Sequence, residues 1–159
     1  MADDPAARPV LLAYDGSDTA SRAVERASAV LGSQPAVVLT VYEPTAAFTG
    51  YDPLAGVSEG MGRASGLEQE MDDIGAQVAQ RTAEQGAEVA REHGFDATAR
   101  TAGGKVWRTI VDVADEVDAG LIVVGTRGHS GLQSLMIGSV ANGVVHHSDR
   151  PVLVIPPAT

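Results

Sequence analysis

Leu121-Ile122-Val123-Val124-Gly125-Thr126-Arg127-Gly128-His129-Ser130-Gly131, followed by Gly138-Ser139-Val140-Ala141, decides how this chain folds. The wholly apolar run Leu121 to Val124 reads as a strand buried on both faces, because it does not alternate. It ends on glycine and gives way to a loop of glycine and polar residues. Helical spacing then begins, with Ile137, Val140, Ala141 and Val144 on one face. A buried strand, a glycine loop and a helix start point backbone N–H groups at one place, which suits an anion such as a phosphate. Glycine lets an anion touch the backbone, and Ser139 is the expected N-cap of the helix.

Better-known glycine motifs do not fit. No Gly-x-Gly-x-x-Gly follows either β-like run. Gly104-Lys105 is followed by Val106 and has Ala99 where a P-loop needs its first glycine. In Gly128-His129-Ser130-Gly131-Leu132 the second glycine comes one place too early for a nucleophile elbow, so Ser130 is a poor nucleophile candidate. What remains is Gly-x2-Gly-x9-Gly-Ser, at Gly125, Gly128, Gly138 and Ser139.

Working outward, 159 residues with 44% apolar content predict one globular domain over 1–159. No run approaches the ~18 apolar residues of a membrane span. Met1 to Pro5 lacks a basic then apolar leader pattern, so the expected location is the cytoplasm. The chain has no cysteine, which excludes disulfides and thiolate metal sites. A net charge of −10 argues against nucleic acid and anionic membranes as partners. An acidic protein that binds an anion must use local backbone donors, Arg127 or a metal ion.

The rest of the chain alternates strands and helices. Residues 1–8 are expected to be a flexible arm. Pro9 to Tyr14 predicts a first strand, ending at Asp15-Gly16-Ser17. Ser17 or Asp18 caps a helix to about Leu31, which Gly32 ends. Ala36 to Tyr42 is the second strand. Pro44 to Gly66, with five glycines and two prolines, predicts a long mobile loop. A helix from about Leu67 to His93 follows, with Leu67, Met71, Ile74 and Val78 as its expected buried stripe, and Gly94 stops it. Ala97 to Ala102 is a polar third strand, as an edge strand would be. Val106, Ile110, Val113 and Val117 mark the next helix. Asp149-Arg150-Pro151 turns the chain into a last strand, Val152 to Ile155. Alternation of this kind predicts a parallel sheet with helices on both faces and right-handed crossovers. Ligands then sit beyond the carboxyl ends of the strands at a switch point.

Several residues have two readings. Asp15, at a strand's carboxyl end, contacts a ribose hydroxyl or a metal ion, or it closes an Asx-turn on Gly16-Ser17. Arg127 and His129 reach a phosphate, or are solvated loop residues. Val140 and Ala141 offer N–H groups rather than side chains. His146 and His147 suit the negative end of the last helix better than a metal, and His93 sits at a helix end in the same way. Trp107 reads as a packing residue.

The four-point glycine motif, the opening Val10-Leu11-Leu12-Ala13-Tyr14-Asp15-Gly16-Ser17 and the ending Pro151-Val152-Leu153-Val154-Ile155 together resemble the universal stress protein family over nearly the whole chain. That resemblance implies a single three-layer α/β/α, Rossmann-like domain with a five-stranded, mostly parallel, doubly wound sheet in the order 3-2-1-4-5. It implies binding of ATP or a related adenine nucleotide, with Mg2+ or Mn2+ bridging its phosphates. The base would lie between the first two strands, lined by Ala13 and paired with the backbone of Val41. The triphosphate would wrap Gly125, Arg127, Gly128, His129, Gly138, Ser139, Val140 and Ala141. The resemblance also implies a homodimer, formed through Val152–Ile155. The expected role is a nucleotide-dependent switch in a stress response. A slow ATPase or nucleotide transferase, or a protein-interaction module that has no nucleotide, are the alternatives.

Overall fold

A computed structural model describes residues 8–44, 61–126 and 137–157. Nine elements alternate: β1 (Val10–Ala13), α1 (Asp18–Leu31), β2 (Pro35–Tyr42), α2 (Met61–Glu92), β3 (Asp96–Gly103), α3 (Val106–Glu116), β4 (Leu121–Gly125), α4 (Ser139–His147) and β5 (Val152–Ile155). The strands form one sheet in the order β3-β2-β1-β4-β5. All four pairings are parallel, with Val10 opposite both Ala36 and Leu121. The expected order and the expected edge position of β3 both hold.

The burial pattern explains the three layers. Val10, Leu12 and Tyr14 face one side of the sheet with Ala23, Val24 and Ala27 of α1 and Ala87 and Ala90 of α2. Leu11, Leu39, Ile122 and Val124 face the other side with Ile110 and Val113 of α3 and Ala141 and Val144 of α4. Successive residues of a strand point to opposite faces, so a strand covered on both sides must be apolar throughout. This is the reason for the unbroken runs in β1 and β4.

Local signals place the ends of the helices. The Ser17 hydroxyl accepts from the Ala20 N–H at 3.1 Å and caps α1. Gly32, at φ 70°, donates to the Ser28 carbonyl and ends α1, and Gly94, at φ 97°, follows the end of α2. Arg150 fastens the turn before β5 to the end of α3. Its guanidinium donates to Asp115 at 2.8 Å, to Asp118 at 3.1 Å and to the Ala119 carbonyl. The hydrogen bond to Asp115, followed by that to Asp118 and the attraction of both carboxylates, raises its pKa above the ordinary arginine value against the opposing effect of burial. Arg8, the last residue of the expected arm, is held by an ion pair with Asp118 at 3.3 Å.

Three expectations are corrected. Helix α2 begins at Met61, so 61–66 are helical rather than loop; residues 45–60 lie outside the described residues, as do 1–7 of the arm. The stripe Leu67, Met71, Ile74 and Val78 is exposed, and Ala79, Ala83, Ala87 and Ala90 are buried in its place. The reason is distance. A Cβ on Gly86 would stand 2.5 Å from the Tyr14 ring and 2.8 Å from Val38, so α2 lies against the sheet too closely for large side chains. Ile137 is also exposed and precedes its helix rather than packing within it.

The close approach of α2 gives a direct expectation. Gly86→Ala should destabilise the fold by about 1–3 kcal/mol, the usual cost of an added carbon in a filled core. The readout is a lower urea midpoint at unchanged slope. A midpoint equal to that of the parent contradicts this packing.

Candidate functional site

β1 and β4 are neighbours, but the chain leaves their carboxyl ends in opposite directions. The segment after β1 leads through α1 toward β2, and the segment after β4 leads toward α4 and β5. A cleft of about 270 Å³ opens there. Of the expected site residues it brings together Ala13, Asp15, Val41, Gly125 and Val140. Its volume lies near the lower end of the roughly 300–1,000 Å³ of small-molecule sites.

Asp15 plays the turn role. Its Oδ1 accepts from the Ser17 N–H at 3.0 Å and from the Ser17 hydroxyl at 2.6 Å. Ser17 in turn caps α1, so Asp15 orients the start of a helix while lining the cleft. Tyr14, also in the lining, is fixed at three points. Its N–H donates to Leu39 at 2.9 Å, its carbonyl accepts from the Thr40 hydroxyl at 2.8 Å, and its own hydroxyl lies 2.9 Å from that of Ser21.

Val41 matters through its backbone. In a parallel ladder a residue's N–H and C=O point to the same neighbour, and successive residues alternate sides. The Leu39 carbonyl accepts from Tyr14 on the β1 side, and the Tyr42 carbonyl accepts from Gly104 on the β3 side. Val41 therefore presents its donor and acceptor to the β1 side, beyond Ala13, where β1 has ended. One edge of the cleft thus carries a backbone N–H and C=O side by side.

The opposite lip is the start of α4. The Gly138 N–H donates to the Thr126 carbonyl at 2.8 Å, which holds this helix end beside the end of β4. Gly138 is the N-cap, and Ser139 is the first helical residue; the expected capping serine is corrected by one place. Among the described residues no side chain caps the helix, and the N–H groups of Ser139, Val140 and Ala141 have no acceptor within their own helix. The Ala141 side chain is buried in the core, so it offers only its N–H to the site. The Thr126 hydroxyl oxygen is buried at the same place with no hydrogen-bond partner among the described residues. Arg127, Gly128 and His129 lie outside the described residues.

The cleft also uses residues that the sequence did not single out for it: Tyr14, Ala20, Leu39, Val106, Ile110 and Val124. Tyr14 and Val124 stand at strand ends beside Asp15 and Gly125, a proximity that was readable. Val106 and Ile110 carry no such signal, since a cleft wall and a core use the same apolar residues. Trp107 packs as expected, stacked on His147 with ring centres 4.2 Å apart. The His147 Nδ1–H donates to the Gly143 carbonyl at 2.8 Å near the end of α4. His93 makes the matching bond to Val89 at 2.9 Å. Among the described residues no group of three or more acidic or histidine side chains is placed to hold a metal ion.

A parallel doubly wound sheet with a cleft at its switch point and a helix N-terminus on one lip defines a doubly wound α/β domain. The chain belongs to the universal stress protein family, whose model matches residues 6–156. It is 32% identical over 149 residues to the universal stress protein YxiE of Bacillus subtilis, covering 92% of this chain and 97% of that one. In fold it is similar to protein MJ0577 of Methanocaldococcus jannaschii, with a TM-score of 0.77 at 21% identity over 97% of this chain and 99% of that one. A universal stress protein solved in complex with cAMP is similar at TM-score 0.62 and 26% identity, over 96% and 99% of the two chains. One from Archaeoglobus fulgidus solved with dAMP is similar at 0.58 and 26%, over 93% and 97%.

Asp15 can be tested apart from any ligand. Asp15→Ala should lower stability by about 1–2 kcal/mol, through the two lost bonds to Ser17 and a weakened cap. Asp15→Asn, which keeps an acceptor at Oδ1, should restore most of it. Thermal unfolding reads the difference, and equal melting of the two variants contradicts the role.

Proposed function

We propose that the cleft binds an adenine nucleotide, ATP with Mg2+ or Mn2+, and that this protein is a nucleotide-dependent binding module of a stress response. The observation that carries the reading is the pairing of opposite lips. Val41 offers an adjacent donor and acceptor, the pattern that the amino edge of adenine complements. The start of α4, with glycine at its N-cap, offers its first N–H groups, which favour phosphate through both hydrogen bonds and the helix dipole. The apolar wall of Ala13, Leu39, Val41 and Ile110 suits a flat base between them. Relatives solved with cAMP and dAMP support this class of ligand.

The charges fit this placement. A carboxylate at Asp15 repels phosphate but accepts from ribose hydroxyls, so the sugar belongs on the Asp15 side and the phosphates toward Gly138. Asp15 would also suit Mg2+, which is commonly held by one or two carboxylates together with the substrate's phosphates and water. On this reading Gly125, Gly128, Gly138 and the N–H groups of Ser139, Val140 and Ala141 hold the phosphates, with Arg127 and His129 as further donors. Among the described residues β5 pairs only with β4, and its far edge is the surface through which a homodimer would form. The proposed location is the cytoplasm.

The test is thermal unfolding with ATP, AMP and cAMP, each with and without magnesium. A ligand at 100 times its dissociation constant adds about 2.7 kcal/mol to the folded state. Gly138→Asp is the control. Gly138 sits at φ −59° and ψ 158°, open to any residue, and aspartate is a favoured N-cap. The variant should therefore fold at least as well while placing a negative charge where phosphate belongs. Stabilisation by nucleotide that this variant loses is the expected result. A flat response of the parent to every nucleotide overturns the reading.

A further inference from the structure

The exposed stripe of α2 is unusual for a helix that also forms part of the core. Leu67, Met71, Ile74 and Val78 are 62%, 58%, 56% and 57% exposed, spaced four, three and four residues apart. At about 100° per residue they form a single line, roughly 145° around the helix from the alanines that face the sheet. The helix has two apolar faces, and the sheet uses one. Gly75 lies against Tyr42, the last residue of β2, so the turns before it continue past the carboxyl ends of the strands. The 14 residues from Met61 to Ile74 extend about 21 Å at 1.5 Å each. The stripe thus stands out beside the end of the sheet that carries the cleft.

Charge selects the occupant. Glu68 and Glu70 flank the stripe on its two sides between Leu67 and Ile74, Asp73 lies further round, and no lysine or arginine occurs from Leu67 to Gln80; Arg81 follows one turn beyond Val78, past the acidic part of the stripe. A second copy laid antiparallel on this stripe would centre near Asp72 and Asp73 and bring the acidic segments of the two helices together. Like charges at such range are unfavourable. An anionic membrane is repelled in the same way, and the chain as a whole carries −10. An amphipathic helix with lysine or arginine beside its apolar face satisfies both features. Its apolar residues cover the stripe, and its cations meet the glutamates, as in helix-to-helix recognition generally.

We propose that the outer face of α2 is a docking surface for a cationic amphipathic helix of a partner protein. The surface is independent of the cleft reading.

The experiment uses the full chain and a defined probe, an 18-residue fluorescent helical peptide of leucine and lysine with leucines at helical a and d spacing. Its glutamate counterpart is the control. Anisotropy should show the lysine peptide binding at least tenfold tighter than the glutamate peptide, weakening as salt rises. A triple variant, Leu67→Ser, Met71→Ser and Ile74→Ser, should lose at least tenfold in affinity, and Glu68→Gln with Glu70→Gln several-fold. Because the replaced residues are exposed, melting of the triple variant should match the parent. Equal binding by the triple variant would reduce the effect to general attraction of a cation to an acidic protein and overturn the proposal. Lower melting of that variant would show a stripe already covered within the chain. Sedimentation showing a dimer that the variant loses would assign the face to a second copy. Binding of the parent, but not the variant, to phosphatidylcholine vesicles would assign it to lipid. Each of these three outcomes overturns the proposal.

Discussion

The structure depends on β1 having parallel neighbours on both sides and helices on both faces. From β1 the chain steps through β2 to β3, then crosses to β4 and β5 on the other side. Right-handed crossovers put the helices of the first two steps on one face and those of the last two on the opposite face. The two apolar clusters show this division, with α1 and α2 sharing one and α3 and α4 the other. Connections that leave the ends of β1 and β4 on different faces cannot close over the gap between them. The cleft is a consequence of the winding.

That constraint also sets the chemistry of the lips. A strand neighbour that ends early exposes the backbone of the next strand, and this makes Val41 a presenter of N–H and C=O. A helix that begins at the end of β4 turns its first N–H groups toward the cleft, and a glycine at its N-cap gives them no side-chain partner of its own. On the proposed reading both lips would meet the ligand through backbone, so the side chains there can be plain. Asp15 is the exception, and its bonds to Ser17 tie the cleft wall to the start of α1.

Much of this was legible in the sequence because the signals were local or strongly periodic. Apolar runs without alternation identified β1, β2 and β4, Ser17 and Gly32 marked the ends of α1, and Val106 to Val117 showed the face of α3. The polarity of β3 matched its edge position. The core face of α2 was not legible, because hydrophobicity weighs leucine and methionine above alanine. Close approach at Gly86 reverses that order by admitting only small side chains. The N-cap of α4 was misplaced by one residue because serine is the stronger capping residue in general. Val106 and Ile110 read as core, and they serve both core and cleft. The line from Leu67 to Val78 reads as a stripe in the sequence, but only the fold says which way it faces.

The central claim is that a nucleotide lies across the two lips, with its base at Val41 and its phosphates at the start of α4. Titrating ATP and magnesium into isotope-labelled protein and following the backbone amide resonances tests it most directly. The account predicts the largest shifts at Val41, Gly125, Ser139, Val140 and Ala141, with AMP reproducing those at Val41 and not those of α4. Shifts confined to other parts of the fold, or no shift at saturating ATP, would contradict it.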